Sequence, residues 1–312
     1  MSANPLIDST PHFRNDASTV IVFGENLVDL LVDGNGSVEA THGGGPTNVA
    51  RTIARLGQRV ALITGLSSDA FGQGIERRLI DDRVDLDFAV RTSSPTTLAV
   101  VEKAAEPPNY VFHISGTAAF LLEREHALDA YRSLASSLGA LYVGSLGIVV
   151  EPMASALDIV IDEAEKDLLV MLDPNCRPAL VPDVDAYRRR LDHYFARADV
   201  VKVSADDLRF LYPGATSDEG ARSNLEMGGQ FEIVTDGPHP VTLHHSCGSL
   251  SVPVPQVEVV TTVGAGDAFV GGFLAWLMAG GLGRHSLVDI DLVATATTYA
   301  SRIAADHCRG LI

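Results

Sequence analysis

A chain of 312 residues with 46% apolar content is long enough to bury one full hydrophobic core. Its formal charge of −17, from 40 acidic against 23 basic residues, excludes a surface built for nucleic acid or anionic lipid, since phosphate is bound through Lys and Arg. The three cysteines, Cys176, Cys247 and Cys308, are too scattered for a disulfide framework or a zinc knuckle, so a reduced, cytoplasmic setting is expected.

Residues 1–18 are polar and contain prolines, and they lack the apolar core of a signal peptide. They read as a flexible tail ahead of one domain over 19–312. From Val20 onward, short apolar runs alternate with helical periodicity. Strands are predicted at Val20–Phe23, Val60–Thr64, Leu141–Val143, Leu168–Leu172, Val200–Val203 and Phe231–Val234. Helices are predicted at Asn48–Leu56, Ile75–Asp82, Arg124–Leu138, Ala154–Lys166 and Val184–Ala196. Strands too apolar to alternate, separated by helices, mean an α/β fold: a doubly wound, mainly parallel sheet flanked by helices. Two inserted segments, about 30–41 and 86–116, break the rhythm. Phe88–Arg91, Thr97–Lys103 and Tyr110–Ile114 alternate apolar and polar residues, which suits a small β-sheet lid over the carboxyl ends of the parallel strands. The apolar run Ala268–Ala279 is too short to span a bilayer, so no membrane is expected.

Several strand ends carry chemistry. After the first strand, Gly24–Asp29 offers Asp29 as an acceptor for sugar hydroxyls, with Glu25 and Asp33 as nearby alternatives. In Gly43-Gly44-Gly45-Pro46-Thr47-Asn48 the glycines permit close ligand approach and the proline starts a helix. Asn48 then either contacts vicinal hydroxyls or only caps that helix. Asp173-Pro174-Asn175-Cys176-Arg177-Pro178 presents Arg177 as a bidentate phosphate clamp, with Cys176 as packing. In Lys202-Val203-Ser204-Ala205-Asp206-Asp207, Ser204 reads as a helix cap. Asp207, or less directly Asp206, orders water on magnesium, or both acids compensate the helix dipole. Thr235-Asp236-Gly237 supplies a hydroxyl and a tight turn for a nucleotide. No Gly-Lys pair exists for a Walker A loop, and Gly144-Ser145-Leu146-Gly147 lacks the spacing of a nucleophile elbow.

The strongest signal is Thr262-Val263-Gly264-Ala265-Gly266-Asp267-Ala268-Phe269, a small-residue turn running into an apolar helix. Amides of Gly264, Ala265 and Gly266 can crowd an anion, helped by the helix N-terminus, while Asp267 takes the proton of an attacking hydroxyl or merely caps the helix.

Together these motifs resemble the ribokinase-like (PfkB) family of carbohydrate kinases over nearly all of Val20–Leu311. Gly24–Asp29, Thr96-Thr97-Leu98-Ala99 and the stretch from Tyr110 to Ala118 look most like its fructokinase branch. The resemblance implies Asp267 as base, Gly264–Gly266 as anion hole, Arg177 facing the phosphates, and Asp29, Gly44, Asn48 and Phe112 on the sugar. It also implies Lys202, Ser204, Thr235 and Gly237 beside ATP, and Asp207 where the family usually has Glu for Mg²⁺. Cation-activated members commonly carry Asp where this chain has Thr261, which leaves a monovalent cation open. The expected reaction is transfer of the ATP γ-phosphoryl to fructose. The alternative acceptors are 2-keto-3-deoxygluconate, ribose or a nucleoside, and the rival from another class is a non-catalytic sugar- or nucleotide-binding regulator. A homodimer through the lid is expected from its apolar face.

Overall fold

In the computed structural model, which describes residues 18–102 and 109–312, the chain opens with β1 (Thr19–Phe23), the hairpin β2 (Leu27–Val32) and β3 (Val38–Gly43), and α1 (Gly45–Arg55). It continues through β4 (Val60–Ile63), β5 (Gly65–Ser67), α2 (Ala70–Asp81), β6 (Val90–Thr92), β7 (Leu98–Glu102) and β8 (Asn109–His113). The second half runs α3 (Arg124–Leu134), β9 (Leu138–Gly144), α4 (Met153–Glu163), β10 (Leu169–Asp173), α5 (Val184–Arg197), β11 (Val200–Ser204), α6 (Ala205–Leu211) and α7 (Ser217–Glu226). It ends with β12 (Phe231–Thr235), β13 (Val241–His245), β14 (Gly248–Val252), α8 (Ala265–Ala279) and α9 (Ile290–Cys308).

Eight strands form one sheet in the order β14-β13-β12-β11-β10-β9-β1-β4, parallel from β4 to β12 and closed by the antiparallel pair β13 and β14. Alternate residues of each central strand feed opposite faces, so both faces are buried. Ile21, Phe23, Leu141 and Val143 pack with residues of α3, α4 and α5. Val20, Val22, Ala140 and Tyr142 pack with residues of α1, α2, α8 and α9. Helix α8 is apolar on all sides, which is why it lies sandwiched in the second layer rather than at the surface.

A four-stranded sheet, β3-β2-β7-β8, stands apart from the core. It starts at Leu27, so Asp29 belongs to this lid sheet rather than to the loop after β1. The predicted lid strand at Phe88–Arg91 is not part of it. Phe88 lies in a turn, and Val90–Thr92 pairs in parallel with Gly65–Ser67, because β5 follows β4 directly and offers the nearest free edge. The predicted flexible tail falls, but for Ser18, outside the described residues, as does Lys103.

Candidate active site

The strand order reverses around β1: the chain moves from β1 to β4 on one side, then returns to β9 on the other. Such a switch point opens a crevice beyond the carboxyl ends of the strands. Glu25, Ser145, Asp173, Ser204 and Thr235 all come from those ends. Two of the three non-glycine residues with positive φ among the described residues are here, Ser145 at 54° and Asn175 at 42°. Backbone held in that sparsely populated region tends to mark functional turns.

Helices α1 and α8 pack together with their N-termini at the crevice. Gly264 caps α8 at φ 83°, a left-handed turn that a Cβ disfavours. Asp267 follows in the first turn, 7% exposed, and Asn48 Nδ2 donates to its Oδ2 at 2.9 Å. A Cβ placed on Gly45 would stand 3.3 Å from Asp267 Oδ1 and 3.2 Å from both Ser145 Oγ and Asn175 Nδ2, so these three groups surround one small space. The Ala265 N–H is turned onto the Thr262 carbonyl at 3.2 Å, while the amides of Gly264, Gly266 and Asp267 make no hydrogen bond among the described residues.

Burial raises the Asp267 carboxyl above its usual range, against the Asn48 bond and the charges of Lys202, Arg177 and His307. Burial also lifts Glu25 to about 7, although Ser145 Oγ donates to it at 2.7 Å. Asp29 is raised to about 6 by burial and then by the charge of Asp267. Three carboxylates thus share one crevice with Arg177, whose Nη1 donates to Asn175 Oδ1 at 2.7 Å and to the Asn175 and Cys176 carbonyls. Its Nε and Nη2 make no hydrogen bond among the described residues, so one edge of the fork stays open for an oxyanion. Cys176 is buried packing, its thiol pushed well up by burial.

On the other side of the turn, Lys202 Nζ bonds Asp173 Oδ2 at 3.1 Å and lies 3.1 Å from where a Gly266 Cβ would be. Burial opposes the lysine charge, but Asp173, Asp207 and Asp267 outweigh it and raise its pKa. An apolar cavity of about 350 Å³ opens here, lined among others by Thr235, Gly237, Val257, Gly266, Phe269 and Ala304. Thr235 Oγ1 donates to the Val203 carbonyl at 3.3 Å.

Ser204 caps α6 as expected, and Asp207 closes the reciprocal capping box: its Oδ2 accepts from Ser204 N at 2.8 Å and Ser204 Oγ at 2.6 Å. Its Oδ1 accepts from Cys176 N at 2.7 Å. A side chain one methylene shorter than Glu folds back onto its own cap, and both oxygens are engaged within the protein. Asp206 is exposed and paired with Arg209. Among the described residues no trio of His, Cys, Asp or Glu is gathered to hold a metal. Asp173 Oδ1 is a buried acceptor without a partner among the described residues, and Mg²⁺ that arrives on a triphosphate needs few protein carboxylates. Thr261, in the position considered for a cation ligand, donates its N–H to the Cys308 carbonyl at 3.2 Å.

Gly44, at the N-cap of α1, packs against the Glu25 carbonyl, where a Cβ would meet it at 2.7 Å. Phe112 pairs across the lid with Ala99, which pairs with Asp29, so the three share one face of the sheet. Asp33 is outside the site, in an exposed turn where it accepts from Asn35 and Ser37 amides. Ser145, rejected as a nucleophile, stands in the crevice as a donor to Glu25. His307, which no sequence motif marks, stands beside the turn with its Nε2 2.8 Å from the Val263 carbonyl.

A family model described as pfkB family carbohydrate kinase matches residues 18–301. Fructokinase of Klebsiella pneumoniae is 33% identical over 286 residues, covering 89% of this chain and 89% of that protein. Among solved structures, fructokinase with bound ATP from Xylella fastidiosa has a TM-score of 0.84 at 29% identity, covering 93% of this chain and 92% of that one. Fructokinase from Vibrio cholerae O395, in its fructose, ADP and calcium ion bound form, has a TM-score of 0.82 at 26% identity, covering 94% of each chain.

Proposed function

We propose that this chain, which belongs to the pfkB family of carbohydrate kinases, transfers the γ-phosphoryl of Mg-ATP to a hydroxyl of fructose. The observation that carries this reading is a buried carboxylate, Asp267, gripped by Asn48 in the first turn of a helix that starts at the left-handed Gly264. The similarity to fructokinases, one of them described with fructose and ADP, supports fructose as acceptor.

In this reading the sugar lies between α1 and the lid. Asp29 and Asn48 orient its hydroxyls, Gly44 and Gly45 leave room for it, and Phe112 closes the lid side. Asp267 receives the proton of the attacking hydroxyl. The Gly266 and Asp267 amides, the free edge of Arg177 and the Lys202 charge hold the transferred group, so catalysis is mostly positioning and charge neutralisation. The nucleotide occupies the apolar cavity beside Thr235 and Gly237. Asp173 and Asp207 would supply the negative field for a Mg²⁺ arriving with ATP, which would neutralise phosphate charge there. The setting is cytoplasmic, and two copies pair through the lid.

A coupled ADP-release assay over fructose, ribose, 2-keto-3-deoxygluconate and nucleosides tests the acceptor. Fructose should give the highest kcat/KM. A tenfold preference for another acceptor would replace fructose in the scheme, and no ADP release with any of them would leave a binding protein instead.

A further inference from the structure

The crevice has a neighbour that the transfer reaction does not use. Behind the catalytic turn lies a second cavity of about 380 Å³, lined by Arg51 and Arg55 of α1, Arg78 of α2, Gly264 and His307, with Asn48 on its side toward the active site. Ile312 also borders it. In a chain of net charge −17 this is a concentrated positive site. The three guanidiniums converge on one carboxylate: Arg51 Nε bonds Asp82 Oδ2 at 2.6 Å, while Arg55 and Arg78 stand 3.8 and 3.6 Å from it. The last two distances are ion-pair range but beyond a hydrogen bond. Among the described residues neither of these two side chains has a closer polar partner, and their side chains are 41% and 51% exposed. The positive field reaches further: His42 is held below its usual range by burial and then by Arg51, Arg78 and Arg77.

We infer that this pocket binds a tetrahedral oxyanion, either inorganic phosphate or the phosphate group of a sugar ester, on Arg55 and Arg78. Three cations against one aspartate leave charge to neutralise, and the planar forks of two arginines suit bidentate contact with phosphate oxygens. The occupant would sit directly behind Gly264, one residue from the carbonyl that His307 touches at 2.8 Å.

The active site also receives phosphate groups, so the test fills it first. Thermal unfolding is followed with sugar and a non-hydrolysable ATP analogue present, while inorganic phosphate, or in a parallel arm a hexose 6-phosphate, is titrated. A rise in midpoint of roughly 3 °C is expected at phosphate well above its dissociation constant. The Arg55→Ser/Arg78→Ser double variant should lose that rise, because Arg51 still holds Asp82 and the fold is kept. Asp82→Asn removes the competing carboxylate and should bind phosphate more tightly, by about tenfold if roughly one charge contact is gained. An equal rise with phosphate and ester assigns recognition to the phosphate group alone, whereas a larger one with the ester adds its sugar to the site. A rise that persists in the double variant but vanishes in Arg177→Gln would overturn the proposal, because the ion would then be in the active site. No rise in the wild type with either probe would overturn it as well.

Discussion

Asp267 has the properties a general base requires and a mere helix cap does not. It is 7% exposed, it accepts a hydrogen bond from a side chain 219 residues away, and burial lifts its pKa. Asp267→Asn keeps shape and the packing against Gly45, so turnover should fall at least ~100-fold with sugar KM little changed. The acid limb of the kcat profile should disappear with it, and near-normal turnover in that variant would reject the assignment. Glu25 makes a different claim at the same scale. Its pKa rises from 4.5 to about 7 on folding, so between those values the folded chain binds more protons than the unfolded one. The Glu25 contribution to stability is therefore fully present below 4.5 and is lost as pH rises through 7, by about 3 kcal/mol for such a shift. Glu25→Gln removes that slope. Urea titrations at pH 5 and pH 8 should show the variant gaining on the wild type by about that amount, and parallel curves would contradict it.

Elements decide which of these residues were legible beforehand. Continuous apolar runs identified β1, β4 and β9 to β12, since strands covered on both faces cannot alternate. The turn at Gly264–Asp267 and Asn48 were legible because small residues ahead of a helix leave few other roles. Ser145 was not, because its place depends on β9 lying beside β1 and bringing it to Glu25, a contact 120 residues apart in sequence. His307 was hidden for the same reason, being delivered by the last turn of α9. Asp207 shows the opposite limit: its position matched a pattern, but arm length sends its oxygens into a capping box. Two glycines at the helix starts separate backbone strain from space. Gly264→Ala puts a Cβ on a left-handed residue, 3.1 Å from His307 Nε2, and should cost about 1–2 kcal/mol in a thermal or urea melt. Gly45→Ala sits at the first residue of α1 with no left-handed backbone to strain, so alanine's helix preference offsets its close contacts and stability should stay within about 1 kcal/mol of the wild type. Its methyl would occupy the space between Asp267, Ser145 and Asn175, and sugar KM should rise tenfold or more. Unchanged KM in Gly45→Ala would move the sugar elsewhere.

At the scale of the whole molecule, the lid has two unlike faces. Cross-strand register puts Thr41, Asp29, Ala99 and Phe112 in one row and Ala40, Leu30, Val100 and Val111 in the next, on the opposite face. The first row carries Asp29, the carboxylate proposed to face the sugar. The second is apolar throughout, and Val111 is 47% exposed. In the proposed pairing through the lid, this row would be covered by the same row of a second copy, an isologous two-fold contact. Such pairing would stiffen the wall that carries Asp29 and Phe112, linking assembly to sugar binding. Val111→Lys changes an exposed position far from the core, so folding should be unaffected. Sedimentation of the wild type should give twice the mass of one chain, and the variant should give the single-chain mass at the same concentration with sugar KM raised several-fold. A wild type that sediments as one chain would remove the pairing. A variant that stays paired would move the contact off this row.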